Sequence, residues 1–176
     1  MSARALYAGS FDPVTVGHVD LVLRAVPLFD AVVIAVGQHP AKRYWFDAAQ
    51  RADLFRRAVV EEGRARGADV STVEVVSFQG LTVHCAAVHD AQVLLRGLRG
   101  AGDMDLELRN AAGNRDLAAI ETVWLPSSPA LSFVSSSLVR EIASHGGDVS
   151  RYVPPVVREA LKRHPNVGSA SGGPTG

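Results

Sequence analysis

The sequence predicts an α/β fold, in which one sheet of five parallel strands carries helices on both faces. Short, continuously apolar segments alternate along the chain with amphipathic ones, as strands and helices do in such a fold. The apolar segments are brief and lack polar alternation, which is typical of strands covered on both faces. With 176 residues, 47% of them hydrophobic, the chain can form one domain with a proper core. We therefore expect a Rossmann-like, doubly wound sheet followed by C-terminal helices.

The order of elements follows from local signals. Asp47 and Gln50 have the spacing of a capping box, and an apolar stripe follows from Leu54 and Phe55, so the second helix has the clearest start. Pro27 is expected to end or kink the first helix. The predicted strands are 5–7, 31–36, 73–76, 93–95 and 122–125, and the predicted helices are 18–26, 47–62, 81–89, 103–116, 136–143 and 155–162.

Composition excludes several classes of protein. The 18 basic and 18 acidic residues cancel, whereas a nucleic-acid-binding protein usually has a basic excess. No apolar run is long enough to span a bilayer and no secretory signal is recognised, so we expect a cytoplasmic protein without a membrane or nucleic-acid partner. The six histidines lack metal-ligand spacing, so no protein-held metal is expected. The single cysteine, Cys85, is expected to be a small buried hydrophobe.

Domain organisation is expected to be simple. Residues 1–163 are predicted to form a single domain. Residues 164–176 are rich in Gly, Ser and Pro and nearly devoid of large apolar side chains. They are predicted to form a disordered C-terminal tail, because they cannot offset the entropy of their own ordering.

The turn after the first strand, residues 9–18, offers a site for phosphate. Ligands of doubly wound sheets bind beyond the carboxyl ends of the strands, which is where this turn lies. It contains the hydroxyl of Ser10 and a Thr-x-Gly-His sequence that opens a helix, but neither a dinucleotide fingerprint nor a P-loop. A glycine at Gly17 lets a phosphate approach the backbone, and a helix N-terminus favours negative charge. We predict that His18 donates hydrogen bonds to a polyphosphate; a loop without a ligand is the alternative for each residue alone.

Cationic side chains follow the second and fourth strands. Lys42 is a candidate phosphate anchor, or else a solvated surface lysine. The fourth strand runs directly into Arg96-Gly97-Leu98-Arg99, where arginine suits bidentate phosphate contacts and Gly97 allows close approach. The alternative is a surface loop paired with acidic side chains of the next helix. Among these, Glu107 could accept hydrogen bonds from a ribose or adenine, or pair with a nearby arginine.

Three serines open the helix after the fifth strand. Serine at a helix start is ordinarily a cap, but Ser135, Ser136 and Ser137 in a row, with Arg140 one turn on, exceed what capping requires. The arrangement predicts a second anion nest for triphosphate oxygens.

Taken together, these motifs resemble those of the bacterial phosphopantetheine adenylyltransferases, within the nucleotidyltransferase superfamily marked by a (His/Thr)-x-Gly-His motif. The resemblance extends from about residue 5 to 161. It implies conversion of ATP and 4′-phosphopantetheine to dephospho-coenzyme A and pyrophosphate, with Mg²⁺ held mainly by ATP phosphates. It also implies a homohexamer that is inhibited by coenzyme A.

The resemblance implies a role for each matching residue. It implies that the ATP-binding residues are Ser10, Phe11, His18, Gly97, Leu98, Arg99, Glu107, Leu131, Ser132, Phe133, Val134, Ser135, Ser136 and Ser137, and that the substrate-binding residues are Ser10, Lys42, Thr82 and Arg96. Thr82 stands where the family often has a larger apolar residue, Leu131 where it is often aromatic, and segment 62–72 looks longer than usual.

The residue types at the site predict an in-line displacement. The acceptor phosphate is ionised near neutral pH and needs no general base, so donors and cations suffice. We expect His18 and Lys42 to be the catalytic residues, stabilising charge around the α-phosphate. The alternatives are a related transferase acting on nicotinamide mononucleotide or glycerol 3-phosphate, and a non-catalytic adenine-nucleotide sensor.

Overall fold

Five parallel strands form one sheet in the computed structural model, which describes residues 3–169. They are β1 (Arg4–Gly9), β2 (Ala31–Gln38), β3 (Val73–Gln79), β4 (Val93–Leu98) and β5 (Glu121–Pro126). Their order across the sheet is β3-β2-β1-β4-β5. The chain therefore adds β2 and β3 on one side of β1, and then crosses over to add β4 and β5 on the other side. This reversal beside β1 is the switch point at which doubly wound sheets bind ligands. The predicted fold class is confirmed.

Six α-helices are present within residues 3–169, and each predicted helix is among them. They are α1 (Val16–Ala25), α2 (Ala48–Arg66), α3 (Thr82–Val88), α4 (Ala101–Ala118), α5 (Ser136–Ser144) and α6 (Pro155–Lys162). None of the helices in this part of the chain has the length and apolar character needed to cross a bilayer.

The helix boundaries show where local signals acted. Asp47 and Gln50 form the predicted capping box at the start of α2. Pro27 lies in a short 3-10 turn, so α1 ends at Ala25 and does not continue as a kinked helix. At its other end α1 begins two residues before the predicted start, because the side chain of Thr15 accepts a hydrogen bond from the backbone N–H of His18 and caps the helix.

The sheet buries apolar side chains on both of its faces. Along β2, Val32, Ile34 and Val36 pack into the cluster that includes α1, α2 and α6, while Val33 and Ala35 pack on the opposite side. The continuous apolar run of this strand is therefore explained by cover on both sides. Cys85 is buried in the second cluster as expected, and burial raises the pKa of its thiol.

The structure continues past the predicted domain boundary at 163. The ring of His164 stacks on Trp45 with 4.8 Å between the ring centroids, and its Nε2 lies 2.6 Å from the Trp45 carbonyl oxygen. Further on, the N–H of Gly168 donates to the carbonyl of Ala143. The single domain stays a prediction, and residues 170–176 of the predicted tail lie outside the described residues.

Candidate functional site

A cavity of about 830 Å³ opens at the carboxyl edge of the sheet, and we call it the edge cavity. Its walls come from the ends of β1 to β4, from the start of α3 and from one face of α4. The volume falls in the range of small-molecule sites. The cavity thus lies at the position that the sheet topology indicates for a ligand.

The residues predicted to bind the substrate meet in this cavity. Ser10, Lys42, Thr82 and Arg96 all line it, although they come from the turn after β1, the loop after β2, the start of α3 and strand β4. Glu107, predicted as a contact for ATP, lines it as well. The structure therefore brings the hydroxyl, ammonium and guanidinium groups to one place, and their role in binding stays a prediction.

Arg96 and Glu107 form a partly buried ion pair in the wall of the edge cavity. Arg96 Nε lies 2.9 Å from Glu107 Oε2, and a second contact joins Nη2 to Oε1. Arg96 Nη1 also donates to the carbonyl of Ala8 at 2.8 Å. Because Glu107 is only 7% exposed, this bidentate pair fixes the direction of the guanidinium. Hydrogen bonding to Glu107 raises the pKa of Arg96.

The position of these arginines corrects part of the sequence interpretation. Arg96, Gly97 and Leu98 lie within β4 and not after it, since β4 stays paired with β5 as far as Leu98. Arg99 pairs with Asp103 through contacts of 2.9 and 3.0 Å. The anion near each arginine is thus a carboxylate of α4, the pairing that the sequence left as the alternative.

Gly97 has a packing role that the sequence did not reveal. A Cβ atom added there would lie 2.6 Å from Leu21 Cδ1 on α1. Its lack of a side chain therefore allows α1 to approach β4 closely. This contact explains the glycine without a ligand, and its predicted contact with ATP stays a prediction.

His18 is held as a neutral hydrogen-bond donor. Its Nδ1 accepts a hydrogen bond from the backbone N–H of Thr15 at 3.0 Å, which assigns the ring proton to Nε2. Burial, together with the charges of Arg99 and Arg96, lowers the pKa of His18 from 6.5 to about 4. The imidazole is therefore uncharged near neutral pH, and Nε2–H is left to donate.

Phe11 supports His18 and does not face a ligand with its ring. The ring is buried and packs edge-on against His18, with 5.1 Å between the centroids, and against Phe55 at 4.7 Å. Its backbone has a φ of 51°, in the left-handed region. The burial of the ring leaves only the main chain for the predicted contact with ATP.

The segment 131–137 lies against the start of α1. The carbonyl of Leu131 is 3.9 Å from where a Cβ of Gly17 would lie, and Ser136 Oγ donates to the carbonyl of Pro13 at 2.8 Å. Ser135 caps α5, because its side chain accepts a hydrogen bond from the N–H of Leu138. This is the ordinary role of serine at a helix start. Among the remaining predicted members, Ser132 bonds its own turn, Val134 is buried, and Phe133 and Ser137 are exposed.

The predicted residues therefore form two adjoining groups. The substrate group lines the edge cavity. Most of the predicted ATP group surrounds the start of α1, and its members His18, Arg99 and 131–137 are not among the described residues that line the cavity. The groups adjoin at β4, because Arg96 lines the cavity and the next residue, Gly97, packs against Leu21 of α1.

Two buried charged residues that support the site were not predicted from the sequence. The carboxylate of Asp12 accepts from the backbone N–H groups of Trp45 and Phe46 at 2.8 and 3.0 Å. Arg51 is fully buried and donates to the carbonyl of Ser10. A signal for Arg51 existed, because it occupies the same helical stripe as the apolar Leu54, Phe55 and Ala58.

Further lining residues were also missed. They are polar or aromatic side chains of α4, of the end of β3 and of the loop that follows β2, and the fold brings them together. They include Tyr44, Phe78, Asn110 and Asn114.

Comparison with known proteins identifies relatives of similar length. A family model described as cytidylyltransferase-like matches residues 6–142. The chain is 47% identical over 164 residues to a phosphopantetheine adenylyltransferase of Methylococcus capsulatus, which covers 93% of this chain and 96% of the relative. It is 44% identical over 158 residues to one of Streptomyces coelicolor, with coverage of 90% and 94%.

Solved structures of lower identity share the fold. One is the nicotinic acid mononucleotide adenylyltransferase of Plasmodium falciparum, with a TM-score of 0.65, 14% identity, and coverage of 93% of this chain and 96% of that chain. Another is a bifunctional NMN adenylyltransferase/ADP ribose pyrophosphatase of Francisella tularensis, with a TM-score of 0.65, 12% identity, and coverage of 93% and 49%. At such identities the likeness concerns the fold alone.

Proposed function

Because the chain belongs to the phosphopantetheine adenylyltransferases of the cytidylyltransferase-like family, we propose that it transfers the adenylyl group of ATP to 4′-phosphopantetheine. The products are dephospho-coenzyme A and pyrophosphate. The observation that supports this function in the structure is the edge cavity, where Ser10, Lys42, Thr82 and Arg96 converge at the switch point of the sheet.

The acceptor phosphate is proposed to bind between Ser10 and Lys42. A phosphate needs several donors, and the hydroxyl and the ammonium group supply them from two separate loops. Arg96 adds a guanidinium that its pairing with Glu107 keeps aimed along the cavity wall. Beyond this polar end, the walls contain Phe78, Leu81 and other apolar side chains that suit the uncharged arm of the acceptor.

The reaction is proposed to be a direct in-line displacement. An oxygen of the acceptor phosphate forms a bond to the α-phosphorus of ATP, and the bond from that phosphorus to the oxygen bridging the β-phosphate breaks, which releases pyrophosphate. The attacking oxygen is already ionised near neutral pH, so no general base is required. Catalysis then consists of positioning and of stabilising charge.

His18 is proposed to stabilise the α-phosphate as a neutral donor. Its Nε2–H is free of the capping contact that occupies Nδ1. Since its pKa is about 4, the ring donates a hydrogen bond without contributing a positive charge of its own. Lys42 supplies that charge from the opposite loop.

The rest of the ATP site is proposed to surround the start of α1. Its main-chain N–H groups and the positive end of the helix suit the triphosphate. Residues Gly97, Leu98 and Arg99 on one side and 131–137 on the other would enclose the nucleotide, with the exposed Ser137 available to a phosphate oxygen.

Magnesium is proposed to enter with ATP, bound mainly through the nucleotide's phosphates. The residues fit this arrangement, since the nearby carboxylates of Asp103 and Glu107 already pair with Arg99 and Arg96. No group of three or more potential ligands is found among residues 3–169. The ion would neutralise charge on the phosphates, while the cations of the chain orient them.

A homohexamer and feedback by coenzyme A are proposed along with this activity. Helix α4 supports assembly, because Met104, Leu106 and Leu108 are exposed apolar side chains outside the edge cavity. Coenzyme A carries the same phosphopantetheine arm as the product, so it would compete for the edge cavity. A cytoplasmic location stays a prediction.

The test of the function is pyrophosphate release from ATP with three separate acceptors. We expect release with 4′-phosphopantetheine and background rates with nicotinamide mononucleotide and glycerol 3-phosphate. Faster release with either of those acceptors would replace the proposed substrate. Calorimetric binding of ATP without turnover on any acceptor would instead indicate a nucleotide sensor.

A further inference from the structure

Arg51 is a buried cation whose partners are main-chain carbonyls. It lies on the inner face of α2 with 0% exposure and is the bulkiest of the fully buried side chains. Burial of a guanidinium is costly unless its N–H groups are hydrogen-bonded. What Arg51 contacts therefore indicates which parts of the chain it holds together.

The contacts of Arg51 join three separate segments of the site. Its Nη1 donates to the carbonyl of Ser10 at 2.5 Å and to that of Gly37 at 2.9 Å. Its Nε donates to the carbonyls of Phe46 and Asp47 at 3.0 and 3.3 Å. One planar group thus links the turn after β1, the end of β2 and the far end of the 38–47 loop.

Lys42 lies in the middle of this loop and is held from both sides. The ring of Tyr44 covers the guanidinium of Arg51, with 4.1 Å between the ring centroid and Arg51 Cζ. The hydroxyl of Tyr44 accepts a hydrogen bond from the N–H of His39 at 2.9 Å. The N–H of Lys42 donates to the carbonyl of His39. The exposed side chain of Lys42 therefore belongs to a short loop segment, residues 39–44, that packs on Arg51 through Tyr44.

Asp12 completes the link between the two loops. Its carboxylate accepts from the N–H groups of Trp45 and Phe46, beside the carbonyl that Arg51 holds. The turn that carries Ser10 and the loop that carries Lys42 are thus joined by opposite charges in one buried layer.

We propose that Arg51 is a positioning residue for adenylyl transfer. By holding the Ser10 turn and the Lys42 loop at a fixed separation, it lets both groups reach one acceptor phosphate. The inference rests on the proposed function, because it uses the roles given there to Ser10 and Lys42. Displacement of a reacting group by about 1 Å can reduce a rate on the order of a hundredfold, so such a tether affects turnover.

The first experiment compares Arg51→Lys with Arg57→Lys. Both variants make the same exchange on α2, but Arg57 is a surface residue whose partner is Asp53. A lysine at 51 keeps the charge and loses the fork that holds three segments at once. We expect the KM for 4′-phosphopantetheine to rise about tenfold or more and kcat to fall, while Arg57→Lys behaves as wild type.

The second experiment distinguishes positioning from a purely structural role. Lys42→Ala is measured in the wild-type and in the Arg51→Lys backgrounds, with 4′-phosphopantetheine and ATP as substrates. If Arg51 acts by placing Lys42, the loss on removing Lys42 is on the order of a hundredfold in the wild type and much smaller in the variant. A structural role alone would leave the two losses equal.

Folding is checked by near-ultraviolet circular dichroism and thermal melting. Should Arg51→Lys fail to fold, Tyr44→Leu replaces it, because this half-buried ring both covers Arg51 and braces His39. The proposal is overturned by a folded variant with a wild-type KM for the acceptor and an unchanged loss for Lys42→Ala. Wild-type protein without acceptor-dependent pyrophosphate release would overturn the proposed function instead, since that assay does not involve Arg51.

Discussion

The two walls of the edge cavity are built in different ways. The wall that contains Ser10 and Lys42 rests on buried polar groups beneath it, since Asp12, Thr15 and Arg51 are each at most 3% exposed. The wall formed by α4 has one buried residue, Glu107, along 18 positions. The chain therefore fixes the first wall by itself, whereas the second depends on one ion pair and on apolar side chains that still face outwards.

The largest effect should come from removing His18, the donor at the start of α1 that adjoins the first wall. His18→Ala takes away the Nε2–H proposed to contact the α-phosphate, and we expect kcat to fall on the order of a hundredfold or more. Steady-state pyrophosphate release measures this, with His84→Ala, on the exposed side of α3, as the control. A folded His18→Ala protein with near-normal turnover would remove His18 from the mechanism.

A smaller effect is expected at the second wall, where Glu107→Gln and Asp103→Asn can be compared. Glu107 is buried and pairs with Arg96, so replacing its carboxylate by the amide of glutamine should lower kcat/KM about tenfold. Asp103 is more exposed and its pair with Arg99 is worth less, so we expect a change of about twofold. Equal losses in the two variants would show that burial does not distinguish these pairs.

The outer side of α4 should matter for assembly more than for chemistry. Met104 and Leu108 lie one turn apart and are not among the described residues that line the cavity. Replacing both by Glu should break the proposed homohexamer in sedimentation experiments and reduce turnover less than Glu107→Gln does. Val88→Glu, at a 77% exposed position on α3, is the control. An unchanged oligomer would place the subunit contacts elsewhere.

The smallest effect on turnover near neutral pH concerns the protonation of His18, which acts on stability at lower pH. Its pKa is about 4 in the folded chain, whereas an ordinary histidine, as in the unfolded chain, has a pKa of 6.5. As pH falls, the unfolded chain therefore binds the proton before the folded chain does. Stability should therefore decrease as pH falls from about 6.5 to 4, and this slope should be shallower in His18→Gln. Denaturant unfolding across that range checks the prediction, and NMR titration of the ring should show the proton on Nε2. Identical slopes would contradict the burial assigned to the ring.

The order of elements could be predicted because it depends on local patterns. Apolar runs such as 31–36 identify strands, and the pair Asp47 and Gln50 identifies a helix start. Residues that follow strands, such as Ser10 and Lys42, meet at the same edge because parallel strands end there.

The details that escaped prediction depend on contacts between distant segments. Arg96 lies inside β4 because β5 pairs with it, and its partner Glu107 is one of several acids on α4 that spacing alone does not distinguish. The burial of Phe11, in the turn after β1, needs Phe55 from α2. The burial of Arg51 could have been read from its place on the apolar stripe of α2, but its carbonyl partners leave no pattern in the sequence.

The most direct test of the account is a crystal structure of the protein with 4′-phosphopantetheine. We predict that the acceptor phosphate lies within hydrogen-bond distance of both Ser10 and Lys42, with the rest of the molecule passing Thr82 inside the edge cavity. A phosphate bound away from Ser10 and Lys42, with the cavity left to solvent, would contradict it.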